Sequence, residues 1–105
     1  MLDKGDRYNK DKPELSMVME AGAALEGCAR VLAFGRDKYS RKNWLKGLPL
    51  TSVVDSLQRH VVKFMNNEDT DEESKLAHVS HILCNALFLA QLYHTRPDCD
   101  DRVRL

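Results

Sequence analysis

Apolar residues recur at helical spacing between Leu15 and Phe34, at Leu15, Val18, Met19, Leu25, Cys28, Ala29, Val31 and Leu32. This period predicts a first helix running to about Tyr39. Gly22 and Gly27 interrupt it, and glycine weakens a helix, so the helix is either split or begins late, near Gly22. Pro13 suits a first helical turn. Residues 40–50 read as a connection, punctuated by Gly47 and Pro49. Ser52 followed by Asp55 resembles a capping box and predicts a second helix to about Met65. Its inward positions are Val54, Leu57, Val61 and either Phe64 or Met65. Asn66 and Asn67 can end it.

Thr70-Asp71-Glu72-Glu73 reads as a complete capping box. Its carboxylates also suit the positive end of a helix. The third helix predicted from there runs to about His94 and is closed by Pro97. It is the most apolar stretch of the chain, with Leu76, Val79, Ile82, Leu83 and the run Ala86–Leu89. No useful length alternates with the period of a strand. The pattern therefore predicts an all-α protein: a small helical bundle of three main helices. An extended arm over residues 1–12 precedes a single helical domain over 13–94, and a flexible tail occupies 95–105. Three helices leave apolar surface uncovered, so a homo-oligomer, dimer or tetramer, is expected to complete the bundle.

Composition narrows the function classes. Charged residues make up 30% of the 105 and cancel to a net charge of zero. That balance argues against broad binding to nucleic acid. The local basic run Arg36, Lys38, Arg41, Lys42, Lys46 suits phosphates on a small molecule as well as on a polymer. The three cysteines, Cys28, Cys84 and Cys99, show no CxxC spacing. Cys28 and Cys84 sit in apolar helical contexts and read as buried thiols of a reducing compartment. No run of about 18 apolar residues predicts a membrane span, and the polar N-terminus carries no signal-peptide core. A cytoplasmic protein is expected.

Polar residues intrude on the most apolar helix. His78, His81 and Asn85 fall at i, i+3 and i+7, on one helical face. His60 lies on the preceding helix, where it can face them, and Asp71 and Ser74 continue the stripe toward the N-terminus. Buried polar groups need partners. Two readings fit this spacing: a hydrogen-bonded seam between packed helices, or a site for a divalent ion. Imidazole suits zinc or manganese, and carboxylate suits magnesium or manganese. The acidic run Glu68–Glu73 is either solvated or a ligand source. A second constellation, residues 38–44, sets Tyr39 and Trp44 for stacking on a base. Lys38, Arg41 and Lys42 can pair with phosphate, and Asn43 can meet a base edge. The same segment reads equally as a surface loop anchored by its tryptophan. No phosphate-binding glycine loop, GxGxxG, GxSxG, HExxH or His-Asp dipeptide is present.

Taken in order, Lys12-Pro13, Ala29-Arg30-Val31, Phe34-Gly35, Lys38-Tyr39, Asn43-Trp44, Gly47, Arg59-His60, Glu68, Asp71, Glu73-Ser74, His78, His81, Asn85 and Leu87-Phe88-Leu89 form one pattern. It resembles the small phage and bacterial dATP/dGTP diphosphohydrolases related to MazZ, a branch of the all-α MazG-like nucleotide pyrophosphohydrolases. The resemblance spans about residues 7–92. It implies metal-dependent hydrolysis of dATP or dGTP to monophosphate and pyrophosphate, with Mg2+ or Mn2+, in the cytoplasm of a bacterial host if the chain is phage-encoded. It further implies Asp71, Glu73, His78, His81 and His60 as metal ligands and Glu68, Asp71, Glu73 and His78 as the catalytic set. Lys38, Tyr39, Asn43, Trp44, Arg59 and Asn85 are implied for the nucleotide. The chain departs from the pattern, which carries glycine where Ser40, Asn67 and Lys75 stand. His78 and His81 occupy a place where the wider group keeps an ExxD carboxylate pair. A second reading therefore stays open: a catalytically inactive module on the same scaffold, binding a nucleotide or a host protein.

Overall fold

The computed structural model describes residues 4–104, and Met1–Asp3 of the arm and Leu105 of the tail lie outside them. Residues 4–12 are exposed and carry no helix or strand. The first predicted helix is split. α1 is a single turn, Ser16–Met19, and α2 runs Gly22–Lys38. Ala21, at the junction, leaves the helical region with φ −87° and ψ 54°. A 3-10 turn at Asn43–Lys46 leads to α3, Leu50–Met65, and α4 spans His78–Thr95. The described residues hold no strand, only an isolated bridge between Thr70 and Ala77.

α4 is the central element. It packs most extensively on α3 and also lies against α2. As the most apolar of the helices it gains most from this position, although Val79 and Tyr93 on its outer side stay exposed. Cys28 of α2, Leu50 and Val53 of α3, and Cys84 and Leu92 of α4 form the buried core. Gly27 permits the α2–α4 approach, since a Cβ there would lie 2.4 Å from the Ser80 hydroxyl oxygen.

Two helix starts differ from the expected ones. α3 begins at Leu50, two residues before Ser52. The Ser52 hydroxyl donates to the Pro49 carbonyl at 2.8 Å and caps nothing. The free N–H of Thr51 is met instead by Asp101, whose carboxylate also accepts from the Thr51 hydroxyl, at 3.0 and 2.6 Å. α4 begins at His78 rather than beside Thr70. Asp71 takes the Ser74 N–H and hydroxyl into a local turn, both at 2.8 Å. Lys75 then enters the left-handed region at φ 63°, which no helix can continue through. The first N–H of α4 is satisfied by the backbone, His78 donating to the Asp69 carbonyl at 2.8 Å.

Two further expectations are corrected. Phe64 and Met65 are exposed in this chain, while Val54, Leu57 and Val61 are half-buried. The segment after Arg96, read from sequence as loose, forms a 3-10 turn at Pro97–Cys99 and is pinned to the body. Arg96 donates to the Lys46 carbonyl, and Asp101 holds Thr51. Arg102 and Arg104 close on Asp100 at 2.7 and 2.9 Å. Gly47 is where this segment meets the 3-10 turn. Its φ of 112° and a Cβ position only 2.9 Å from Cys99 Sγ both demand glycine.

Candidate functional site

α3, α4 and the loop before α4 converge on three imidazoles. His60 Nδ1 lies 2.8 Å from His78 Nδ1, and the His60 ring stacks on His81 at 4.4 Å with 6° between planes. His78 is almost wholly buried, at 1% exposure, and His81 nearly so. Asp71 reaches the cluster through the loop. One potential ligand atom each from His60, Asp71 and His78 lie within 4.8 Å of one another. His78 Nε2 is enclosed without a hydrogen-bond partner, a costly state for a buried polar atom.

Ser74 is the node that sequence reasoning left without a role. Its hydroxyl lies 2.8 Å from Asp71 Oδ2 and 2.7 Å from His81 Nε2. A carboxylate can only accept, so the hydroxyl proton goes to Asp71 and His81 donates from Nε2. The backbone N–H of Leu76 supplies the second bond to the serine oxygen. His81 thus carries its lone pair on Nδ1. Its 3.8 Å separation from Asp71 is bridged by the hydroxyl rather than being a direct ion pair.

The electrostatics agree. Burial pushes the His60 imidazole below its ordinary pKa, with nearby His81 adding to the effect. Burial does the same for His81, against the opposing pull of Asp71. Burial acts to raise Asp71, but the Ser74 N–H and hydroxyl outweigh it and hold the carboxyl below its usual range. At neutral pH His60 and His81 are therefore neutral and Asp71 is ionised, the protonation states that metal ligands require.

A cleft of about 510 Å³ opens beside the cluster, with His81 in its wall. Lys38, Tyr39, Asn43, Trp44 and Asn85 all line it, together with Arg36 and Arg41. Trp44 stacks on Phe88 of α4, at 4.7 Å between centroids and 23° between planes. Phe88 follows Asn85 by three residues, so spacing along α4 could have flagged it. Lys38 pairs with Glu73 at 2.8 Å, joining the end of α2 to the acidic loop. Glu73 and the Glu68 side chain are exposed and stand outside the three-residue cluster. Arg59 is exposed and lies with Asp55, Gln58, Val62 and Lys63 around a separate shallow depression, away from the cleft.

Fold and site together define an all-α bundle that sets an imidazole–carboxylate cluster at the edge of a basic, aromatic cleft. The family described as dATP/dGTP diphosphohydrolase, N-terminal, matches residues 3–102, and the chain belongs to that family. It is 36% identical over 98 residues to a protein of Salmonella phage PMBT28 named dATP/dGTP diphosphohydrolase, an alignment covering 93% of this chain. The chain spans about a third of that relative's length, 33%. No solved structure matches it.

Proposed function

We propose that this chain hydrolyses dATP and dGTP to the monophosphate and pyrophosphate, with a divalent ion held by His60, Asp71 and His78. One observation supports the reading: in a member of this family, the donor cluster adjoins the cleft, with His78 of the cluster and His81 and Asn85 of the cleft wall on one face of α4. The donor set fits such an ion. Two like imidazole nitrogens at 2.8 Å need either a shared proton or a shared cation between them. Two nitrogens and one carboxylate suit manganese or zinc better than magnesium, which prefers oxygen. When bound, the ion would polarise the triphosphate and activate water.

The protein's own groups do the rest. Trp44, backed by Phe88, stacks on the base. Lys38, Arg36 and Arg41 neutralise phosphate charge. The Lys38–Glu73 pair is exposed on both sides, and such pairs hold weakly, so a phosphate can displace Glu73. Ser74 locks Asp71 and His81 in place. We also propose that a second copy covers Val62, Met65, Val79 and Tyr93, all at least half exposed in the single chain. Sedimentation velocity should then show a species heavier than the 12.0 kDa monomer.

The test is chromatographic. Incubated with manganese, the protein should convert dATP and dGTP to monophosphate and pyrophosphate in equal amounts. Asp71→Ala and His78→Ala should each lower kcat/KM by at least about a hundredfold. Unchanged turnover in both variants would remove the cluster from the reaction. The observation that the cluster holds only one carboxylate favours the second reading, an inactive nucleotide-binding module. A nucleotide-dependent rise in melting temperature without pyrophosphate release would establish it.

A further inference from the structure

The face of α4 toward the cleft changes character along its length. It presents His78 and His81, then Asn85, then Phe88 against Trp44. Asn85 therefore stands between the ionic end of the site and its aromatic end. Its amide is fixed. Nδ2 donates to the His81 carbonyl at 2.9 Å. A backbone carbonyl only accepts, so the amide nitrogen must face it, and the orientation of the group follows. Oδ1 is then turned away from that bond and takes no hydrogen bond from the described residues. Yet His78 Nε2 is the one side-chain nitrogen or oxygen among them that is enclosed without a partner. Asn85 Oδ1 is therefore reached by solvent, and Asn85 lines the cleft. The helix supplies a rigid, pre-aimed acceptor where nothing among the described residues uses one.

We propose that Asn85 reads the nucleobase, its Oδ1 accepting a hydrogen bond from an exocyclic amino group of the base stacked in the cleft. This rests on the reading that the cleft takes a deoxynucleoside triphosphate. Adenine offers such a group at its 6-position and guanine at its 2-position, whereas thymine has none. The spacing suits the ligand. Seven residues of helix separate Asn85 from His78, about 10 Å at 1.5 Å per residue, comparable with the reach of a nucleoside from base edge to first phosphate. A base held at Asn85 and Trp44 then directs its phosphates toward Lys38 and the His60–Asp71–His78 cluster. Without an amino group the acceptor stays unpaired as the base covers it, and that unmade bond is the source of discrimination.

The experiment compares dATP with the triphosphate of deoxypurine riboside, which differs only in having hydrogen for the 6-amino group. Dissociation constants are measured by calorimetry without added metal, on wild-type protein and on Asn85→Leu, whose fold is checked by circular dichroism. Wild type should bind dATP about tenfold more tightly than the analogue. Asn85→Leu should bind the two within about twofold of each other, by weakening toward dATP alone. A merely structural role for Asn85 would weaken both ligands together and keep their ratio. Equal wild-type binding of the two, or a preference that survives in Asn85→Leu, would overturn the assignment while leaving the nucleotide reading of the cleft in place. A wild-type protein that binds neither would overturn both.

Discussion

Lys75 shows how much one backbone angle decides. At φ 63° it holds the left-handed conformation that turns the chain between Asp71 and α4, and Asn67 does the same at φ 66° before the acidic loop. These are two of the positions where the family pattern carries glycine. Asparagine tolerates that region, whereas lysine adopts it at a cost. Lys75→Gly should therefore stabilise the protein by up to about 1 kcal/mol, less the entropy glycine adds to the unfolded chain. A urea midpoint that stays the same or falls would show that the lysine is not strained. The same residue explains how far the site could be read from sequence. The helical spacing of His78, His81 and Asn85 placed them on one face, as the structure has them. Extending the helical spacing backwards puts Asp71 on that face as well. It does reach the cluster, but through a left-handed turn and the Ser74 hydroxyl, and no helical register describes that route.

At the scale of elements, the periodic helices were legible and their ends were not. α2, α3 and α4 follow the apolar spacing because one face of each is buried against the others. The start of α3 depends on Asp101, 50 residues away from Thr51, a partner invisible to any local window. The hydrogen bonds from Thr51 hold the Asp101 carboxyl below its ordinary pKa. α4 starts later than the spacing predicts because Thr70–Glu73 fits a capping box and also a turn, and Ser74 decides for the turn. The α2–α4 contact allows a sharper test. Alanine in place of Gly27 would gain up to about 1 kcal/mol in helix propensity, but its Cβ meets the Ser80 hydroxyl at 2.4 Å. Gly27→Ala alone should be neutral or destabilising, whereas in a Ser80→Ala background it should stabilise. A double-mutant cycle with no coupling between the two sites would show that the helices do not approach this closely.

For the whole molecule, the radius of gyration of 17.5 Å exceeds the roughly 13 Å of a compact domain of this length. The excess reflects an exposed arm and the exposed Leu15, Met17, Val18 and Met19 that follow it. The site couples this fold to pH. His60 and His81 are both depressed when folded, so below the ordinary histidine pKa of about 6.5 the unfolded chain takes up protons first. The stabilisation from neutral imidazoles is complete above that value and is lost as the pH falls through it toward the depressed folded values. Asp71 titrates further down and contributes nothing to this window. The metal-free protein should melt at a lower temperature at about pH 5.5 than at about pH 7.5, and a flat profile in differential scanning calorimetry would contradict the burial of these rings. A different property follows from the two thiols in the core. Burial and the neighbouring Cys28 push the Cys84 thiol up to about 12, so neither reagent access nor thiolate is available at Cys84 while α2 stays on α4. Its alkylation rate then times the parting of those two helices, with the partly exposed Cys99 as the internal reference. The bundle carries its own clock for the motion that would open the floor of the cleft.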